Sequence, residues 1–134
     1  MQDTKNLNEK DLELLKIAYD HAKQRFKKDF ISIGGALRTK SGKIFTGTNM
    51  KYHVRNLSIC AEMLAIYTAL DDGEEEFDTV VGVRYIPETD SFAVMNGCGK
   101  CRQLYLYHGV KAIIDNNGVL EIKKPEELLP YAFL

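Results

Sequence analysis

The sequence predicts an α/β protein: a three-layer α/β/α sandwich with a mixed central sheet of about five strands. Three observations predict it. Segments of helical periodicity alternate with short strands rich in valine and isoleucine, which is the pattern of helices packed on a sheet. The first two strands flank the turn signal Ser41-Gly42, so they pair as an antiparallel hairpin. Further on, a strand, a helix and a second strand follow one another at the spacing of a crossover unit, which pairs strands in parallel.

Each element has its own reason. Residues 8–27 read as a helix because Leu12, Leu15, Tyr19, Ala22 and Phe26 recur at steps of three and four, with Asn8 as N-cap and Asp11 three residues on. Residues 30–37 read as a strand weakened by Gly34-Gly35, and 43–48 as its hairpin partner. The polar stretch 49–58 reads as a loop. Residues 60–70 form a second helix with Ile59, Met63, Ile66, Tyr67 and Leu70 inward, Ser58 as a cap and Gly73 past its end. The valine-rich run 77–86 is a strand, and after a turn 92–95 is a short one. A third helix spans 98–108 and stops at Gly109. Strands 110–114 and 119–122 flank the turn signal Asn116-Asn117-Gly118. Pro125 opens a last helical turn over 125–129. No repeat, low-complexity tract or linker interrupts the chain, so one domain over residues 1–134 is expected.

Composition narrows the function classes. Hydrophobic residues make up 45% and charged residues 28%, the balance of a globular protein. Net charge is −1 and no basic stripe stands out, so a nucleic-acid partner has no electrostatic footprint. The first residues lack a signal peptide's apolar run, and no stretch approaches the ~20 apolar residues of a membrane span. A cytoplasmic location and no membrane partner are the expectations.

Two clusters carry chemistry: Cys60-Ala61-Glu62 and Cys98-Gly99-Lys100-Cys101. Each falls at an expected helix start. Three thiolates leave one tetrahedral position of a Zn²⁺ ion open, the arrangement of a catalytic site. Water in that position can be activated as hydroxide. Glu62 is the one carboxylate beside a ligand and would shuttle protons. Zinc with three thiolates carries a net −1, which opposes acidification of water. Two helix N-termini offset part of that charge, and Arg102 adds a cation or a hydrogen bond to a thiolate as an outer-shell residue. In mid-helix, residues two apart point to nearly opposite sides, so Cys60 must sit at the helix edge for it and Glu62 to face one metal. Three other readings of the cysteines compete: a redox Cys-x-x-Cys pair, a four-ligand structural zinc completed by His53, and ordinary buried thiols.

At these residues the chain resembles the cytidine deaminase superfamily, whose pattern is Cys/His-Ala-Glu followed by Pro-Cys-x-x-Cys. The likeness extends to residues 30–37, 41–49, 98–103 and 127–130. It implies hydrolytic deamination of a free cytosine nucleoside or analogue by hydroxide attack at ring carbon C4, with Glu62 catalytic and Cys60, Cys98 and Cys101 holding zinc. It also implies substrate contacts at Phe30, Asn49, Lys51, Ala61 and Phe133, and a homotetramer. For Asn49 a turn role competes with a sugar contact, and for Phe30 and Phe133 core packing competes with stacking on the pyrimidine. Lys51 stands where the family has a glutamate that accepts from ribose, Gly97 where it has proline, and Met63 where many members have arginine. These departures resemble the blasticidin S deaminase branch, whose substrate is a nucleoside antibiotic with a modified sugar and a cationic tail. Neither Lys51 nor Lys100 would attract such a tail. A deaminase of nucleic acid and a catalytically silent zinc protein are the alternative functions.

Overall fold

The computed structural model describes residues 2–133. Helix α1 (Glu9–Arg25) starts at Asn8, whose Oδ1 accepts the Asp11 N–H at 2.9 Å while Asp11 Oδ2 accepts the Asn8 N–H at 3.0 Å. This reciprocal cap satisfies two backbone donors that a helix start leaves open. Its buried face is centred on Leu14, Leu15, Ala18 and Ala22. Tyr19 and Phe26 lie at its border, against the ring of Tyr85.

The strands are β1 (Asp3–Lys5), β2 (Ile33–Thr39), β3 (Ile44–Thr48), β4 (Phe77–Ile86), β5 (Ser91–Met95), β6 (Lys111–Asn116) and β7 (Val119–Lys123). The remaining helices are α2 (Ala61–Asp71), α3 (Gly99–His108) and the short α4 (Pro125–Leu128). A single 3₁₀ turn, Arg55–Leu57, lies within the expected loop. The sheet runs β1-β7-β6-β4-β2-β3, with β5 also on β4. Pairing is parallel at β1–β7 and β4–β6 and antiparallel elsewhere, so the sheet is mixed as expected. It has seven strands, against the sheet of about five expected; six of them are read individually from the sequence. The strand that the pattern does not reveal is β1, whose three residues are all exposed and show no alternation.

The parallel β4–β6 ladder covers Thr79 and Val80, while β5 pairs with Gly82 to Ile86. With β2 along its other edge, β4 gives the start of its free edge to β6 and the rest to β5. Strand β5 therefore ends at Met95, opposite Gly82 in the middle of the sheet. The chain then turns through residues 96–98 directly into α3.

Alternation along the strands builds two cores. Leu37, Val80, Ala112 and Ile114 face Met63, Ile66, Cys101 and Tyr105 of α2 and α3. Ala36, Val81, Val83 and Ile113 face Leu14, Leu15 and Ala18 of α1. These are the three layers. Gly34-Gly35, which weakens the strand signal, has a packing reason: a Cβ on Gly35 would lie 2.7 Å from the Ala61 carbonyl oxygen, so α2 begins in contact with the β2 backbone.

Candidate active site

Cys60 is the N-cap of α2, with extended backbone (φ −81°, ψ 148°), and Glu62 is the second helical residue. The cysteine thus stands at the helix edge, and it shares one cavity with the carboxylate. Ser58, expected as the cap, instead accepts the Tyr52 N–H at 2.8 Å and ties the preceding loop together. Cys98 is the N-cap of α3, its Sγ accepting the Cys101 N–H at 3.5 Å, and Cys101 lies fully buried in the first turn.

The two helix starts bring the three sulfurs together. Cys60 Sγ lies 3.7 Å from Cys98 Sγ, which lies 3.6 Å from Cys101 Sγ. All three fall within 4.8 Å of one another, and none forms a disulfide. Tetrahedral zinc with bonds of ~2.3 Å sets its sulfurs about 3.8 Å apart, so these spacings fit the ion. Among the described residues no fourth His, Cys or carboxylate joins the group. His53 is exposed and stands outside it.

Contact with Cys101, then with Cys98, and the charge of Lys100 pull the Cys60 thiol down to about 6 against the opposing effect of burial. Cys101 goes the other way, because it hydrogen-bonds to Cys60, is buried and faces the Glu62 charge. Burial raises the Glu62 carboxyl above its usual value, and the charge of Cys60 adds to that.

Glu62 is only 4% exposed. Its carboxyl lies against Gly82 of β4, where a Cβ would sit 2.6 Å from Cδ. The Tyr105 hydroxyl donates to Oε2 at 3.4 Å.

The cavity in front of the cysteines measures about 540 Å³, the size of a small-ligand site. Asn49, Lys51, Ala61 and Glu62 line it with the three cysteines. Asn49 Oδ1 accepts the Ser32 and Ile33 N–H groups, each at 2.9 Å, and Nδ2 donates to the Phe30 carbonyl at 3.4 Å. Most of its hydrogen-bonding capacity thus holds the backbone before β2. Phe30 lies in a neighbouring cleft that shares Asn49 and Lys51, its ring edge-on to Tyr52 at 5.2 Å. Phe133 is 79% exposed and does not border the cavity; Gln103 holds its backbone at both N and O. Arg102 donates to the carbonyls of Asn96 and Leu128, and so fixes the loop that delivers Cys98 rather than touching a sulfur. Among the lining residues without a motif signal are Arg55 in the polar loop and Asn96, whose side chain pairs twice with the Asp115 backbone.

Comparison with known proteins gives a consistent result. The family model for the "Cytidine and deoxycytidylate deaminase zinc-binding region" matches residues 8–115. Blasticidin-S deaminase of Bacillus cereus is 33% identical over 135 aligned positions, 97% of this chain and 96% of that protein. A cytidine deaminase of Sporosarcina psychrophila is 30% identical over 105 positions, 75% of this chain and 74% of its own length. Among solved structures, cytidine deaminase from Burkholderia pseudomallei superposes with a TM-score of 0.74 at 26% identity, covering 95% of this chain and all 100% of that one. The Bacillus anthracis cytidine deaminase shares the fold at a TM-score of 0.78 and 22% identity, covering 94% of this chain and 90% of that one.

Proposed function

The chain belongs to the cytidine and deoxycytidylate deaminase family, and on that premise we propose that residues 1–134 form one zinc-dependent deaminase domain acting on the cytosine ring of a free nucleoside or nucleoside analogue. The observation that carries this reading is the convergence of Cys60, Cys98, Cys101 and the buried Glu62 on one cavity. The three cysteines would hold zinc, which when bound acidifies a water in its open position. The net reaction exchanges the ring amine at C4 for an oxygen, consuming one water and releasing one ammonia.

Glu62 is the proton carrier in this account. It would take two protons in turn from the oxygen of the attacking water, and return one to the ring nitrogen and one to the departing amine. Burial raises its carboxyl above the usual value, which favours holding a proton once it is taken. The wall of Gly82 restricts where the carboxyl can move. Arg102 acts at one remove, by holding the carbonyl before Gly97 and with it the Cys98 turn.

The charge of the cavity supports a narrower substrate reading. Apart from Glu62 and the cysteines, its charged lining residues are Lys51, Arg55 and Lys100, all cationic. Lysine has only donors and cannot accept from a sugar hydroxyl as a carboxylate would. Such a mouth favours a cytosine nucleoside with an altered sugar over plain cytidine, and disfavours a cationic tail. Oligomerisation into a tetramer is part of the proposal, supported by the exposed apolar rings of Tyr67, Tyr107, Tyr131 and Phe133. No described helix is long and apolar enough to cross a membrane. We assign the protein to the cytoplasm, with no nucleic-acid partner.

Ammonia release from a panel of cytosine nucleosides tests the reading, with wild type and Lys51→Glu compared by kcat/KM. We expect turnover of at least one nucleoside, poor turnover of cytidine, and a gain on cytidine in Lys51→Glu. No ammonia from any member with zinc bound would favour a catalytically silent zinc protein. Efficient cytidine turnover that Lys51→Glu leaves unchanged would remove Lys51 from substrate choice.

A further inference from the structure

Helix α3 buries two side chains, Cys101 and Tyr105. They are four residues apart, one helical turn, and so share the inward face. The first belongs to the sulfur cluster. The second reads from sequence as packing or a subunit contact, and at 2% exposure it does fill the core between α3 and the sheet. Its hydroxyl has a further partner, because it lies 3.4 Å from Glu62 Oε2, across 43 residues of sequence. Among the described side-chain hydrogen bonds this is the one that Glu62 makes.

The ring reaches that position because the chain leaves room at residue 97. Gly97 has φ +74°, and a Cβ there would meet Tyr105 Oη at 3.1 Å and Cε2 at 3.3 Å. A proline could not adopt this backbone, since its ring holds φ near −65°. Any side chain at 97 would press on the hydroxyl. Gly97 and Tyr105 therefore act as a pair: one gives up a side chain, the other puts a hydroxyl in the vacated space. Gly82 also lies against Glu62 Cδ, so the carboxyl meets both a backbone wall and a donor.

We propose that Tyr105 is a positioning residue for Glu62: its hydroxyl holds Oε2, which fixes the carboxyl plane and leaves Oε1 for the substrate. Burial and the Glu62 charge keep the phenol protonated, so it remains a donor. A proton carrier must stand within hydrogen-bond reach of its proton throughout the reaction, and misplacing it by a fraction of an ångström lowers the rate more than the affinity. This rests on Glu62 as the proton carrier of a deaminase, and its test is divided accordingly.

The first arm does not depend on turnover. Infrared difference spectra identify the Glu62 carboxyl band as the one that Glu62→Gln abolishes. Tyr105→Phe keeps the ring, and so the packing, and should shift that band with zinc content unchanged; an unmoved band overturns the proposal. The second arm uses kinetics. Tyr105→Phe should lower kcat at least about tenfold with KM within about twofold, whereas a purely structural role would lower melting temperature and leave kcat per folded, zinc-loaded protein unchanged. The third uses Gly97→Ala, which crowds the hydroxyl and should cost less kcat in the Tyr105→Phe background than in wild type. Additive effects of the two substitutions would contradict the pairing. If the wild type deaminates no nucleoside, the deaminase reading falls, and the infrared band still decides whether Tyr105 holds Glu62.

Discussion

Glu62 is separated by one residue from a thiol and lies beneath a cavity with 4% of its surface exposed. Burying a carboxyl without a cationic partner costs stability, so its retention here points to use in the chemistry. Glu62→Gln removes the charge and keeps the shape. It should bind zinc as wild type does and lose turnover by ~10²–10⁴-fold or more, which single-turnover ammonia assays beside metal analysis would measure. A variant keeping a tenth of the wild-type rate would move the proton carrier elsewhere. At this scale the sequence is legible where chemistry demands a residue type: three thiols and a carboxylate at helix starts stand out because few other arrangements use them. It is less legible where a role depends on tertiary neighbours. Nothing local marks Tyr105 as different from a core tyrosine, Arg55 is one more loop cation, and the side chain of Asn49 is largely occupied by backbone that only folding brings to it.

Elements are joined by a chain of charges on the face of the molecule that α1 covers. Asp11, from the α1 cap, accepts from Arg38 Nη2 of β2 at 2.7 Å. Arg38 also reaches Asp78 of β4 at 2.9 Å, and Lys111 of β6 reaches the same carboxylate at 3.1 Å. One helix and three strands are thereby locked in register. Burial opposes ionisation of Asp78, but hydrogen bonds from Arg38 and Lys111 prevail and hold its carboxyl below the ordinary value of 3.8. A lowered native value means that the unfolded chain binds the proton first. The stabilisation is therefore full above about pH 5 and is lost as pH falls through the native value. Asp78→Asn should cost about 1–3 kcal/mol at neutral pH. Below about pH 4 its stability should fall less steeply than that of wild type. Urea titrations at stepped pH with zinc saturated would show it, and parallel curves would contradict it. The helices were legible because caps and glycine stops are local features: Asn8 opens α1 and Gly109 closes α3, although α2 is capped by Cys60 and not by Ser58. Strand β1 was not, since it exists only by pairing with β7, and β2 begins three residues later than its apolar run, at Ile33, because Asn49 and the Lys27–Ile31 bridge hold the preceding residues in another shape.

For the whole molecule, layering follows from pattern: alternating strands need cover on both faces, and α1 on one side with α2 and α3 on the other supply it. Assembly is less readable, because a single chain shows exposed rings without their partners. Tyr67 and Tyr107 on α2 and α3, with Tyr131 and Phe133 at the C-terminal end, should be covered in a tetramer. Light scattering at micromolar concentration should give four times the chain mass, and a monomer would exclude it. Fold, helix starts and cavity all support an open zinc site that Cys60, Cys98 and Cys101 would hold. Zinc-edge X-ray absorption of the purified protein tests it most directly. Three sulfur neighbours at about 2.3 Å and one lighter oxygen or nitrogen neighbour are expected; four protein ligands, or protein that takes up no zinc, would rule the open site out.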